Sequence, residues 1–193
     1  MALSLVVGLG NPGFRYASTR HNVGFRAVEA CAAHYNISFR KPLFARYEHA
    51  RLTTGLHGPV VFVKPLTFMN RSGEVIPRLM SRHDAGPEKL LVLCDNLDLE
   101  VGRVRLKRGG GTAGHNGLKS VVAATESSEF YRLYIGIGRP SRGESVVDHV
   151  LGTPDAKEAG ALEAAYRRAS KIICAALDGD LEQVMNDCNR RDA

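Results

Sequence analysis

The chain has 193 residues, 44% hydrophobic and 24% charged, enough for one ordinary globular domain that folds without metal or disulfide staples. No apolar run approaches the roughly 18–20 residues needed to cross a bilayer, which argues against a helical membrane protein. A net charge of +6 allows a polyanionic partner without requiring one. The opening Met1-Ala2-Leu3-Ser4-Leu5-Val6-Val7 lacks a basic leader and reads straight into a strand, so no secretory signal is expected. Cys31, Cys94, Cys174 and Cys188 have neither CxxC spacing nor a His in ligand register. Buried thiols in a reducing compartment are expected, not zinc or disulfides.

In chain order, residues 3–9 form a short apolar run ending in glycines, the pattern of a buried strand. A long turn follows through Asn11-Pro12-Gly13, and the spacing of apolar residues predicts a helix over 22–35. Residues 44–53 and 59–64 read as strands joined by a glycine-containing connection. Residues 70–83 read as a helix that Pro77 should kink, unless it sits near a weak point. Residues 90–94 are another buried strand, and 103–107 alternate basic and apolar residues, as a strand with one wet face does. The tract Gly109-Gly110-Gly111-Thr112-Ala113-Gly114 predicts a flexible loop, followed by a helix over 116–124 and a strand over 132–137. Thr153-Pro154-Asp155 predicts a helix start with Thr153 as cap and Pro154 at the first position, running to about residue 177. Strands and helices alternate with no linker or repeat. The expectation is a single α/β domain over 1–193, built on a twisted, mostly parallel mixed sheet surrounded by helices.

Several polar residues fall at equivalent places in this alternation. Asn11 lies beyond the first strand, His21 at or just before the first turn of the first helix, and Asn70 at the start of the next. Asp95 follows the strand ending at Cys94, while His115 and Asn116 open the helix after the glycine-rich loop. Ligands of open α/β sheets bind beyond the carboxyl ends of the strands, so these residues are expected neighbours. The set offers an imidazole, a carboxylate to orient it and three carboxamides, with no GxSxG nucleophile. That combination points to water activated by a general base, a contribution of about 10²–10⁴-fold. The carboxamides can donate to a developing oxyanion and accept from a peptide backbone. Taken singly, each residue also has an ordinary use, as a helix cap or a turn former.

Gly8-Leu9-Gly10-Asn11-Pro12-Gly13, Tyr16 and Thr19-Arg20-His21-Asn22-Val23-Gly24 resemble the opening signature of the bacterial peptidyl-tRNA hydrolases. Further blocks agree in order and spacing: Lys64 to Gly73, Asp95-Asn96-Leu97-Asp98-Leu99, Gly109-Gly110-Gly111 with Gly114-His115-Asn116-Gly117, and Arg132 to Gly138. The resemblance implies a monomeric cytoplasmic esterase, free of metal and cofactor, that cleaves the ester between the peptide and the terminal ribose of peptidyl-tRNA. It implies His21 as the base, Asp95 as its support and Asn116 as the group that positions water or oxyanion. Asn11 and Asn70 would hold the peptide, with Tyr16, Phe68, Met69 and His115 lining its cleft. Arg105, Lys107 and Arg132 would meet tRNA phosphates. The chain departs from the family pattern at Cys94 and Asn96, where His and Glu are usual, at Thr112-Ala113 in place of His-Gly, and at Tyr134, where some members carry Arg.

Three other readings compete with this one. The first block also satisfies GxGxxG, but Pro12 sits inside it and no acidic residue ends a second strand at the required distance, which argues against a dinucleotide enzyme. Plastid splicing factors resemble the same family, so a non-catalytic RNA-binding protein is the principal alternative. A protein-docking scaffold has only the amphipathic segment 153–177 behind it, where Arg167, Arg168 and Lys171 read as a wet face. By family analogy that region forms a lid over the cleft.

Overall fold

Apolar runs too short for helices become strands, and the amphipathic segments between them become helices. The computed structural model describes residues 3–54 and 58–190. In chain order the elements are β1 (Leu5–Gly8), α1 (Val23–His34), β2 (Tyr47–Thr54), β3 (Gly58–Pro65), α2 (Ile76–Arg82), β4 (Leu90–Asn96) and β5 (Val104–Arg108). They continue as α3 (Asn116–Thr125), β6 (Tyr131–Gly136), α4 (Val146–Leu151), α5 (Ala156–Asp178) and α6 (Leu181–Arg190), with 3-10 turns at Phe14–Tyr16, Arg20–Asn22, Met69–Val75 and Pro87–Lys89. The glycine-containing connection read between β2 and β3 and the two ends of the chain lie outside the described residues.

The six strands form one sheet in the order β2-β3-β1-β4-β6-β5. The four inner strands β3, β1, β4 and β6 run parallel, and the edges β2 and β5 are antiparallel, so the sheet is mixed and mostly parallel as the alternation implied. Residues of the inner strands alternate between two cores because both faces are covered. Val6, Phe62, Leu91, Leu93, Leu133 and Ile135 pack on one side with α1 and α5. Leu5, Val7, Val63, Val92 and Cys94 pack on the other with α3 and the 69–75 turn. No helix among the described residues is long and apolar enough to cross a membrane.

Several boundaries differ from expectation for identifiable reasons. The first helix starts at Val23, because Arg20–Asn22 close as a 3-10 turn. Pro77 does not kink a helix but sits at a weak point of the segment: residues 69–75 are 3-10, and Pro77 falls in the first turn of α2, where its missing N–H costs little. Phe44 is excluded from β2 by a left-handed backbone (φ 59°) and stands exposed. The cap of α5 is Asp155, not Thr153. Its carboxylate accepts from Glu158 N (2.8 Å), and Glu158 accepts in return from Asp155 N (3.1 Å). That reciprocal pair outcompetes a threonine cap and leaves Pro154 outside the helix. Asp95 lies within β4. The helices α4 and α6 were not read at all.

Candidate active site

Close contact of strand and helix brings the first two functional groups together. A Cβ on Gly24 would lie 2.4 Å from the Leu93 carbonyl oxygen and 2.5 Å from that of Leu9, so only glycine lets α1 approach β1 and β4 this closely. The turn preceding α1 thereby delivers His21 to the end of β4. His21 Nδ1 lies 2.7 Å from Asp95 Oδ1, with Asp95 buried at 4% exposure. A second imidazole meets the same oxygen, with His115 Nε2 at 3.0 Å. The two rings lie 5.1 Å apart between centroids. His115 Nδ1 accepts from Leu118 N (3.2 Å) as the cap of α3. That bond assigns the ring proton to Nε2, which donates to Asp95. By the same logic His21 donates through Nδ1, which leaves Nε2 as its remaining acceptor. Burial pushes the Asp95 carboxyl up, but His115, His21 and their hydrogen bonds outweigh it and hold the group well below the ordinary carboxylate range.

These residues line a cleft of about 460 Å³ together with Asn116, Thr112, Ala113, Tyr134 and the valines 146, 147 and 150. Asn116 is the first residue of α3, at the positive end of the helix. Asn11 is placed by a clamp: Asn22 Oδ1 accepts from its backbone N (2.8 Å) while Asn22 Nδ2 donates to its carbonyl (2.9 Å). The Asn11 side-chain oxygen in turn accepts from Met69 N (2.8 Å), tying the turn after β1 to the turn after β3. Met69 is buried with its sulfur against α3: a Cβ on Gly117 would meet Met69 Sδ at 2.5 Å and the His115 ring at 2.9 Å. Tyr16 and Phe68 pair edge to face at 6.4 Å, with the Arg15 guanidinium 4.6 Å from the Tyr16 centroid. Asn70 is exposed in the 69–75 turn. His21, Asp95, His115 and Asn116 thus share the cleft lining, while Asn11, Tyr16, Phe68, Met69 and Asn70 lie outside it.

The three basic residues separate. Arg105 and Lys107 are exposed on β5, while Val104 and Leu106 turn inward. They pair in register with Tyr134 and Arg132, and residues directly opposed across an antiparallel pair share a face. Both basic side chains therefore stand on the face that carries Tyr134 and the cleft. Arg132 is a correction to the sequence reading. It is 0% exposed, and its guanidinium is taken up by Gly111 O (2.6 Å), Ser128 O (3.2 Å) and the Phe130 ring (4.7 Å), so it presents nothing to a phosphate.

Other residues were missed in sequence. Asn22, the clamp on Asn11, was legible only as part of a motif. The α4 wall had a signal in Ser145, three residues before Asp148: Ser145 Oγ accepts from Asp148 N (3.1 Å). Arg20 ties the His21 turn to this wall and to α5, donating to the His149 carbonyl (3.3 Å) and to Glu158 (2.5 Å). As for metals, one group among the described residues, His21, Asp95 and His115, brings its ligand atoms within 4.8 Å of one another. His21 Nδ1 and His115 Nε2 already bond to Asp95, so a metal held at about 2.0–2.2 Å through those two nitrogens would have to displace both bonds.

An imidazole backed by a buried carboxylate, at a cleft with amide donors, defines a hydrolase-type site on an α/β frame. The family described as peptidyl-tRNA hydrolase matches residues 5–193. Peptidyl-tRNA hydrolase of Bacillus subtilis is 42% identical over 187 residues, covering 97% of this chain and 98% of its own, and that of Shouchella clausii is 41% identical over 188. The crystal structure of peptidyl-tRNA hydrolase from Acinetobacter baumannii superposes with a TM-score of 0.90 at 39% identity, over 97% of this chain and 94% of that one. The chain belongs to the peptidyl-tRNA hydrolase family, and it is a hydrolase of peptidyl-tRNA.

Proposed function

We propose that His21 Nε2 takes a proton from a water as that water attacks the ester carbonyl joining peptide to terminal ribose. The single observation carrying this reading is the 2.7 Å bond from His21 Nδ1 to a buried Asp95, which sets the ring orientation and leaves Nε2 as base. Asp95 stabilises the imidazolium as it forms, and His115 holds the carboxylate from its other side. Asn116, at a helix N-terminus in the cleft, donates to the developing oxyanion. Asn11, whose oxygen is committed to Met69, offers its amide N–H groups to the peptide, with Asn70, Tyr16, Phe68 and Met69 forming the peptide-binding side. The His21 proton then passes to the departing ribose oxygen, giving peptide and free tRNA. The reaction needs no metal or cofactor. The enzyme works as a monomer, one domain spanning 1–193, and in the cytoplasm, where peptidyl-tRNA arises. Release of peptide from an N-blocked aminoacyl-tRNA should continue in excess chelator. Cleavage abolished by chelation and restored by a divalent ion would overturn the metal-free reading, and binding of tRNA without cleavage would favour the non-catalytic alternative.

Arg105 and Lys107 contact tRNA phosphates, a reading supported by their exposure on the cleft-bearing face. Two contacts correspond to a slope of log K against log salt of about −1.4 to −1.8. Replacing both with Gln should flatten tRNA binding against salt and raise KM while leaving kcat within about twofold. An unchanged slope would remove them from the role.

A further inference from the structure

The antiparallel edge strand raises a geometric question. β5 ends at Arg108, which pairs with Tyr131 at the start of β6, whereas Asp95 lies level with Ile135 near the end of β6. The glycine-rich loop therefore leaves from the opposite end of the sheet and climbs about 13 Å, four residue steps of a strand, before His115 reaches Asp95. Along this climb it crosses the β6 face formed by Phe130, Arg132 and Tyr134, which alternate onto one side. Gly109 N donates to the Phe130 carbonyl (3.0 Å) at the bottom. Arg132 Nη1 donates to Gly111 O (2.6 Å) midway and stands 3.4 Å from the Tyr134 hydroxyl. At the top, Thr112 and Ala113 line the cleft beside Tyr134, and His115 N donates to Thr112 O (2.9 Å).

Between those two ends, among the described residues, the side-chain hydrogen bond to the loop comes from Arg132. Gly109, Gly110, Ala113 and Gly114 all hold positive φ, a region in which alanine is strained, so the course of the loop depends on backbone conformations that need holding in place. Arg132 also keeps a buried Nε without a hydrogen-bond partner among the described residues and makes no ion pair there. A buried, incompletely satisfied guanidinium is a poor choice for stability alone.

We propose that Arg132 is a positioning residue for the reaction: its guanidinium braces Gly111 against Ser128 and so sets the height at which His115 and Asn116 meet Asp95 and the scissile ester. The proposal rests on the roles given above to His115 and Asn116, and those roles are tested separately by His115→Ala and Asn116→Ala, each of which should lower kcat whatever Arg132 does.

The experiment compares wild type with Arg132→Lys and Arg132→Met on an N-blocked aminoacyl-tRNA, with tRNA binding followed against salt. Lysine keeps the charge but has no fork to bridge two carbonyls. Both variants should lose about 10- to 100-fold in kcat, with KM and the salt slope unchanged, the signature of a misplaced catalytic group. In Arg132→Lys the NMR signals of the His115 ring should also shift. A rise in KM with a shallower salt slope and intact kcat would make Arg132 a phosphate ligand and overturn the proposal, as would wild-type kinetics in both variants. Should neither variant fold, the wild-type enzyme decides: slowly exchanging Arg132 Nη protons support the brace, and freely exchanging ones refute it.

Discussion

His21→Ala is expected to lower kcat by about 10²–10⁴-fold with KM nearly unchanged. The magnitude follows from what the side chain supplies. Without Nε2 in the cleft, water must attack the ester with no base to receive its proton, while the peptide and tRNA contacts assigned to other residues persist. The fold should survive, because Asp95 keeps the His115 donor at 3.0 Å and the turn 20–22 keeps its backbone bonds, Asn22 N to Thr19 O (3.0 Å) and Arg20 N to Gly152 O (3.1 Å). Single-turnover cleavage with excess enzyme, alongside circular dichroism of the variant, checks both halves. A folded variant with a near-normal rate would remove His21 as the base.

Asp95→Asn should cost less, roughly 10²-fold in kcat. An asparagine oxygen can still accept from the imidazoles, but the negative charge that stabilises the imidazolium is gone. This substitution has a second readout in stability. The folded-state pKa of Asp95 is depressed, so its contribution to stability is fully present above the ordinary carboxylate range, near pH 4, and is lost as pH falls through that range towards the depressed value. Wild type should therefore lose stability more steeply than Asp95→Asn between about pH 5 and pH 2. Urea midpoints measured across that interval give the comparison, and parallel curves would mean that the carboxylate is not held low.

The residues differ in how legible they were. His21, Asp95 and Asn116 could be placed together because each stands at the end of a strand or the start of a helix, and open α/β sheets gather such positions at one edge. The mixed, mostly parallel sheet was legible for a related reason: runs such as Leu90 to Cys94 are apolar at every position, as a strand covered on both faces must be. His115 was read only as cleft lining. Its bond to Asp95 depends on the climb of a loop from an antiparallel edge strand, and the direction of β5 is not written in the alternation of Val104 to Arg108. Arg132 was misread for a general reason. Sequence gives its charge, while its burial follows from pairing with Lys107 and from a loop folded over it. Thr153 lost the cap of α5 to Asp155 because a reciprocal bond with Glu158 is stronger than a lone hydroxyl, and the same Glu158 carries the ion pair to Arg20. The missed α4 brings Val146 and Val147 to the cleft, where their exposure is the surface a substrate would cover.

The central claim, that His21 removes a proton from the attacking water, is tested most directly by single-turnover cleavage in H2O and D2O on the pH-independent plateau. General base catalysis requires that proton to be in flight in the transition state, so the rate in D2O should be clearly slower. Equal rates in the two solvents, with an acyl group trapped on the protein by acid quench, would contradict the account and make a side chain the nucleophile.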